Sequence, residues 1–241
     1  MRDILLETQN LNKRFGGLKA VSNMDLMVHP GEILGLIGPN GAGKTTVFNL
    51  ISGFLRPDSG TITFQGEEIT RKRAHDICRK GIARTFQLVK PFGKMTVMKN
   101  IQVSALSKSD SLKKAESVAL ETLDFLNLHS LKEKMAGELP IGYLKLLEVA
   151  KAFATRPKLL LLDEPIAGLN PPEVARFVEV IRRIRDSGIT IFLVEHVMKA
   201  IMPLCDRVVV MHYGEKIAEG PPGEIAKDPT VIQAYLGVSY A

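Results

Sequence analysis

No apolar run in this chain approaches the ~20 residues that a membrane-spanning helix needs. The candidates, Leu159 to Leu162 and Ile189 to Val194, are short enough to be buried strands, so the chain is not expected to cross a membrane. The first ten residues hold Asp3 and Glu7 and lack a long apolar segment, so no secretory signal is visible and a cytoplasmic location is expected. Cysteine is scarce. Cys78 and Cys205 stand far apart without zinc-type or redox-type spacing, which argues against a disulfide framework and for two packing residues. Internal repeats and low-complexity linkers are also missing. Nor does charge of one sign dominate: 32 Lys and Arg against 26 Asp and Glu give a net +6. That balance suits an anionic ligand, a phospholipid surface or a nucleic acid equally well and selects no partner.

The 241 residues, 45% of them hydrophobic and 24% charged, suffice for one large α/β domain or a core with an inserted subdomain. Two tandem domains of that kind would not fit. Residues 3 to 28 alternate apolar and polar around Gly16-Gly17, the pattern of two antiparallel strands. Asp58-Ser59-Gly60 turns into a short strand, Thr61 to Phe64. From about Met95 to Lys134 the pattern becomes helical, with Val118, Leu120, Leu123, Leu126 and Leu128 as an apolar stripe. A helix from about Gly142, a strand Lys158 to Leu162, a helix Pro171 to Asp186 and a strand Ile189 to Val194 then alternate, which predicts a parallel sheet. A hairpin over Arg207 to Gly220, turning at Tyr213-Gly214, and two short helical pieces close the chain.

The most specific feature is Gly38-Pro39-Asn40-Gly41-Ala42-Gly43-Lys44-Thr45-Thr46, set between the apolar run Ile33 to Ile37 and the amphipathic Val47 to Ile51. Strand, glycine-rich loop and helix are the parts of a phosphate-binding loop. The glycines allow a tight turn that aims N–H groups at phosphates, and the helix adds the positive end of its dipole. Lys44 supplies a mobile positive charge, and the Thr45 hydroxyl suits Mg²⁺. A nucleoside triphosphate is therefore the expected ligand.

Four leucines followed by Asp163-Glu164-Pro165 form a second motif, a buried strand delivering two carboxylates at its C-terminal end. Asp163 is expected to hold Mg²⁺ through water, and Glu164 to polarise the water that attacks the γ-phosphate. Alone, an Asp-Glu pair after an apolar run is usually structural; beside a phosphate loop it reads as the second half of a hydrolase site. His196, in Leu193-Val194-Glu195-His196, could hydrogen-bond the γ-phosphate, and Gln87, after Ile82 to Phe86, could reach Mg²⁺ or the attacking water.

With these residues in place, the chain resembles the nucleotide-binding subunit of an ATP-binding cassette (ABC) transporter from about Leu5 to Leu236. The resemblance implies a P-loop NTPase (RecA-like) parallel-sheet core, an antiparallel β subdomain and an inserted α-helical subdomain. These would make one ABC ATPase domain over 1–241, with 95–156 as the helical subdomain and 1–94 with 157–241 as the rest. It also implies that Phe15 stacks on adenine, that 38 to 46 is the Walker A loop and Gln87 the Q-loop, and that Leu159 to Asp163 is the Walker B strand. Glu164 would be the catalytic carboxylate, 167 to 170 the D-loop and His196 the switch histidine. Phe15-Gly16-Gly17-Leu18, Ala83 to Gln87, Thr96-Val97-Met98, Ala167 to Pro171 and Ala234 to Gly237 look like the branch serving branched-chain amino-acid importers. That branch has relatives for amides and urea, and lipid or lipopolysaccharide exporters carry a similar cassette.

One motif departs. The family signature usually reads Leu-Ser-Gly-Gly-Gln, and here it is Leu139-Pro140-Ile141-Gly142-Tyr143. Pro140 lacks both the hydroxyl and the backbone N–H, whereas Gly142 and the helix N-terminus behind it remain available to a phosphate held by a second cassette. The implied assembly is two ABC ATPase subunits, alike or sister cassettes, on the cytoplasmic face of integral membrane permease subunits, with an external solute-binding protein and no nucleic acid. Phe92, Met95 and Met98 could meet a coupling helix of the permease or cap the insertion's own core. A soluble ABC-type ATPase acting on DNA or ribosomes is the alternative of another class; the coiled coils or paired cassettes such proteins carry do not fit this chain.

Overall fold

The structure, a computed structural model, describes residues 3–195 and 202–236. Two sheets divide its strands. In the larger, β3 (Ile33–Ile37), β7 (Leu159–Asp163) and β8 (Thr190–Val194) are buried along their whole length, as strands covered on both faces must be. Their alternation sorts side chains between two cores. Ile33 and Ile37, Leu160 and Leu162, Ile191 and Leu193 enter one; Leu34 and Leu36, Leu159 and Leu161, Phe192 and Val194 enter the other. With β6 (Ile82–Arg84), β9 (Arg207–His212) and β10 (Glu215–Gly220) the order is β10-β9-β3-β8-β7-β6, and every pairing is parallel except that of β10 with β9.

The smaller sheet is antiparallel, in the order β2-β1-β4-β5. Its strands are β1 (Leu6–Phe15), β2 (Leu18–Val28), β4 (Ser59–Phe64) and the two-residue β5 (Glu67–Glu68). Between the two sheets lies α1 (Lys44–Ile51), whose Phe48 meets Phe192 edge to face at 4.9 Å. The expected hairpins at Gly16-Gly17 and Tyr213-Gly214 are both present.

On the other side of the larger sheet, α6 (Pro171–Asp186) buries Phe177, Val180, Ile181 and Ile184, three or four residues apart, against the first core. Each such side chain contributes roughly 1.5–3 kcal/mol by leaving water. A reciprocal cap starts this helix: Asn170 accepts from the Glu173 N–H, and Glu173 accepts from the Asn170 N–H, both at 3.0 Å.

Between β6 and β7 run α3 (Val97–Ala105), α4 (Leu112–Phe125) and α5 (Ile141–Phe153), with short 3₁₀ turns between them; α2 (Ala74–Lys80) precedes β6. The expected leucine stripe on α4 needs correction. Its buried line is Ala115, Ala119, Thr122 and Leu123; Val118 and Leu120 are only half-buried, and Leu126 and Leu128 are buried beyond the helix end. Small residues on that line let α3 and α4 pack closely, a role that hydrophobicity alone does not signal. Cys205 is buried and Cys78 half-buried, both as free thiols.

Candidate functional site

The pairings Leu36 with Val194 and Asp163 with Val194 align the C-terminal ends of β3, β8 and β7. One sheet edge thereby carries the loop 38–43, the pair Asp163-Glu164 and Glu195, at the position where ligands of parallel sheets bind. Two loop glycines are required by geometry. Gly38 (φ +150) and Gly43 (φ +103) adopt backbone angles that side chains resist, and a Cβ would run into the carbonyl of Met211 or of Ala20, respectively. Gly43 is also the N-cap of α1, whose first turn contains no acid to compete with an anion. Within the loop, the Ala42 N–H donates to the Pro39 carbonyl, while Asn40 and Gly41 are exposed and Thr46 is half-buried. The Gly38 backbone hydrogen-bonds the Tyr235 phenol, whose pKa burial pushes up to about 12.

Lys44 is 6% exposed, and its Nζ donates to the carbonyls of Gly38 (2.6 Å) and Pro39 (2.9 Å). Burial lowers its pKa, while Glu164 and Asp163 oppose that by favouring the cation. Asp163 sits 3% exposed, and burial raises its pKa against the pull of Arg84. Its Oδ2 accepts from Arg84 Nη2 at 2.9 Å, whereas Oδ1 is buried without a hydrogen bond. A groove of about 850 Å³ brings Thr45, Asn49, Arg84, Phe86, Gln87 and Asp163 together. Asp163, with one carboxylate oxygen unsatisfied, and Thr45, with its hydroxyl, line the same groove, and carboxylate plus hydroxyl is a hard-oxygen donor set that fits Mg²⁺.

Glu164 has φ +47, a left-handed conformation that costs a non-glycine residue about 1 kcal/mol or more. The surroundings clamp this turn from several directions. Its N–H donates to the Val194 carbonyl at 3.0 Å, and its carbonyl accepts from Lys145 Nζ at 3.1 Å. Two residues on, the Ile166 N–H donates to Glu195 Oε1 at 2.8 Å. Burial lowers the pKa of Lys145, which Glu195 and Glu164 offset. Gln87 Nε2 donates to Glu164 Oε2 at 2.7 Å, so in this structure Gln87 meets the carboxylate rather than Asp163.

Phe15 ends β1 as a residue 46% exposed, with Lys13 Nζ 5.7 Å from the centroid of its ring. Asp58 steadies that strand end by accepting from Lys13 Nζ and from the Arg14 N–H, both at 2.7 Å. Pro140 is the N-cap of α5 and offers no side-chain cap. Gly142 is buried at the first turn, where a Cβ would lie 2.5 Å from Glu173 Oε1, so a larger residue there would have to push that carboxylate aside. Tyr143 stacks on Arg176 at 5.4 Å. His196 lies outside the described residues.

Four residues around the site went without a role in the sequence reading: Arg84, Lys145, Glu195 and Asn100. Lys145 leaves a trace, a lysine within the leucine-rich run Leu144 to Leu147 of a largely buried helix. Asn100, fully buried, bonds the Phe92 N–H and the carbonyls of Phe92, Met95 and Thr96, fastening the loop after Gln87 to α3. Phe92 and Met95 stay exposed on that loop, while Met98 packs into the first core. Core capping thus accounts for Met98 and leaves the other two facing outward.

A parallel sheet that gathers a phosphate loop and an Asp-Glu pair at one edge, beside an antiparallel sheet, defines a P-loop nucleotide-binding cassette. The chain belongs to the ABC transporter family: the family profile described as "ABC transporter" matches residues 21–167, and one described as "Branched-chain amino acid ATP-binding cassette transporter" matches 215–241. It is 41% identical to the high-affinity branched-chain amino acid transport ATP-binding protein BraF of Pseudomonas aeruginosa, over 97% of this chain and 98% of BraF. It is 42% identical to LivG of Escherichia coli K12, a protein of the same description, over 98% and 99% of the two chains. Among solved structures, the ADP conformation of MJ1267, an ATP-binding cassette of an ABC transporter, superposes with a TM-score of 0.90 at 33% identity, covering 98% of this chain and 99% of that one.

Proposed function

We propose that this chain is the ATP-hydrolysing, energy-coupling subunit of an importer for branched-chain amino acids. The observation that carries this reading is its near end-to-end similarity to BraF and LivG. In the proposed cycle, Lys44 and the N–H groups of the loop hold the phosphates, and Phe15 stacks on adenine. Mg²⁺, held by Thr45 and Asp163 with Gln87 nearby, would neutralise phosphate charge when bound. Glu164 orients the attacking water and takes its proton, and His196 contacts the γ-phosphate. A second cassette closes over the site with its Gly142 and the N-terminus of α5. The partners are integral membrane permease subunits at the cytoplasmic face, docked where Phe92 and Met95 are exposed, and an external solute-binding protein in the full system.

Affinity purification of the chain from detergent-solubilised native membranes tests the assignment. Recovery of two polytopic permease subunits, a sister cassette and an amino-acid receptor is the expected result. A urea or amide receptor would change the solute, lipid-export components would reverse the direction, and ribosomes or DNA without a membrane subunit would overturn the transport role.

Pro140→Ser gives α5 a side-chain cap, which adds about 1 kcal/mol to helix stability, and places a hydroxyl where the family signature has one. Steady-state hydrolysis by the assembled complex is expected to rise severalfold. An unchanged rate would show that other groups already do the work of that serine.

A further inference from the structure

Arg84 is a buried cation with a set of partners that none of the motifs predicts. Its side chain is 5% exposed, and the three bonds of its guanidinium reach different elements: Nη2 to Asp163 Oδ2 at 2.9 Å on β7, and Nη1 to Asn49 Oδ1 at 2.7 Å and Ser52 Oγ at 2.9 Å on and beside α1. Three aromatic rings surround it, with its central carbon 5.7 Å from the Phe48 centroid, 5.9 Å from Phe54 and 5.1 Å from Phe86. Phe48 is buried, but Phe54 and Phe86 are exposed, meet each other edge to face at 5.3 Å and line the groove. Burying a guanidinium is costly, and a hydrophobic side chain of similar volume would fill the same space. The arrangement therefore calls for something that only a planar, multidentate cation provides. Asp163 supplies the clue, because one carboxylate oxygen is held by Arg84 and the other is buried without a partner.

We propose that Arg84 is a positioning residue for the divalent-cation site: by holding Asp163 Oδ2 it fixes the carboxylate so that Oδ1 is presented to Mg²⁺, and it joins that carboxylate to the Phe54–Phe86 wall of the groove. The inference rests on reading Asp163 as a Mg²⁺ ligand. Arg84 is not a mobile stand-in for the metal, since Asn49, Ser52 and the rings anchor it independently of Asp163. Phe54 and Phe86 give the groove a physical connection to the metal ligand, so whatever presses on those rings acts on Asp163 through one side chain.

The test is the binding of a fluorescent ATP analogue to the full chain, titrated with Mg²⁺ and repeated in EDTA, for wild type, Arg84→Gln and Arg84→Lys. Circular dichroism confirms folding, and Arg84→Lys carries the test if the glutamine variant fails to fold. Partners that orient a metal ligand change metal affinity about 10- to 100-fold when removed. The half-saturating Mg²⁺ concentration should accordingly rise at least tenfold in both variants, while affinity in EDTA stays within about twofold of wild type. The lysine variant decides between orientation and charge, because it keeps the charge and loses the fork. An unchanged Mg²⁺ requirement in folded variants would overturn the inference, as would a parallel loss in EDTA, which would make Arg84 a support for the loop helix alone. If the wild type itself shows no Mg²⁺ dependence, the metal reading of Asp163 falls first.

Discussion

Glu164→Gln is expected to lower kcat for ATP hydrolysis by about 10²- to 10⁴-fold, the usual contribution of a positioned general base. Nucleotide affinity should be retained or increased. Glutamine has the same shape and the same backbone preferences, so the left-handed turn, the Val194 bond to its N–H and the Lys145 bond to its carbonyl should all persist. The contact with Gln87 can persist as well, because the new side chain still offers a carbonyl oxygen to its amide. What disappears is the capacity to take a proton from water. With binding intact and chemistry blocked, the ATP-bound closed dimer should accumulate. Phosphate release measures the first effect, and size-exclusion chromatography with and without ATP measures the second. Hydrolysis at the wild-type rate would remove Glu164 from the base role.

Lys44→Ala should have the largest effect on binding. A unit charge about 4 Å from a phosphate oxygen is worth roughly 4 kcal/mol at an effective dielectric near 20, which is about a thousandfold in Kd. The loss acts locally too. The carbonyls of Gly38 and Pro39 lose their shared donor, and Asp163 and Glu164 lose the cation whose charge they feel. Asp163 and Glu164 would then face an incoming triphosphate with one cation fewer beside them, so added ATP should give no measurable thermal stabilisation. Calorimetric titration and a thermal shift series check this together; Kd within tenfold of wild type would mean that the loop amides carry most of the phosphate affinity.

Much of this molecule was legible because its signals are local. Short apolar runs of four to six residues marked β3, β7 and β8, and the alternation around Gly16-Gly17 marked β1 and β2. The phosphate loop is a contiguous motif that a strand and a helix must flank, so its location followed from its spelling. The helices between β6 and β7 were harder, since α4 turns alanines inward and a leucine count misplaces its buried line. Hardest were the charged groups around Asp163 and Glu164. Arg84 and Asp163 are 79 positions apart, and the bond from Lys145 to Glu164 joins two elements that meet only after the sheet has formed. A basic residue at the end of a short strand and another on a helix have no spacing that links them to a carboxylate. Only the fold makes them neighbours.

The position of β3 has a consequence for the protein during its own synthesis. This early strand bears the phosphate loop, yet its two neighbours in the sheet are β8 and β9, encoded far downstream. A nascent chain that has emerged only through the helices before β7 carries the loop on a strand with both edges bare, an invitation to mispairing while translation continues. The sheet that carries the phosphate loop can therefore be completed only when the last quarter of the polypeptide has arrived to close both sides of that strand.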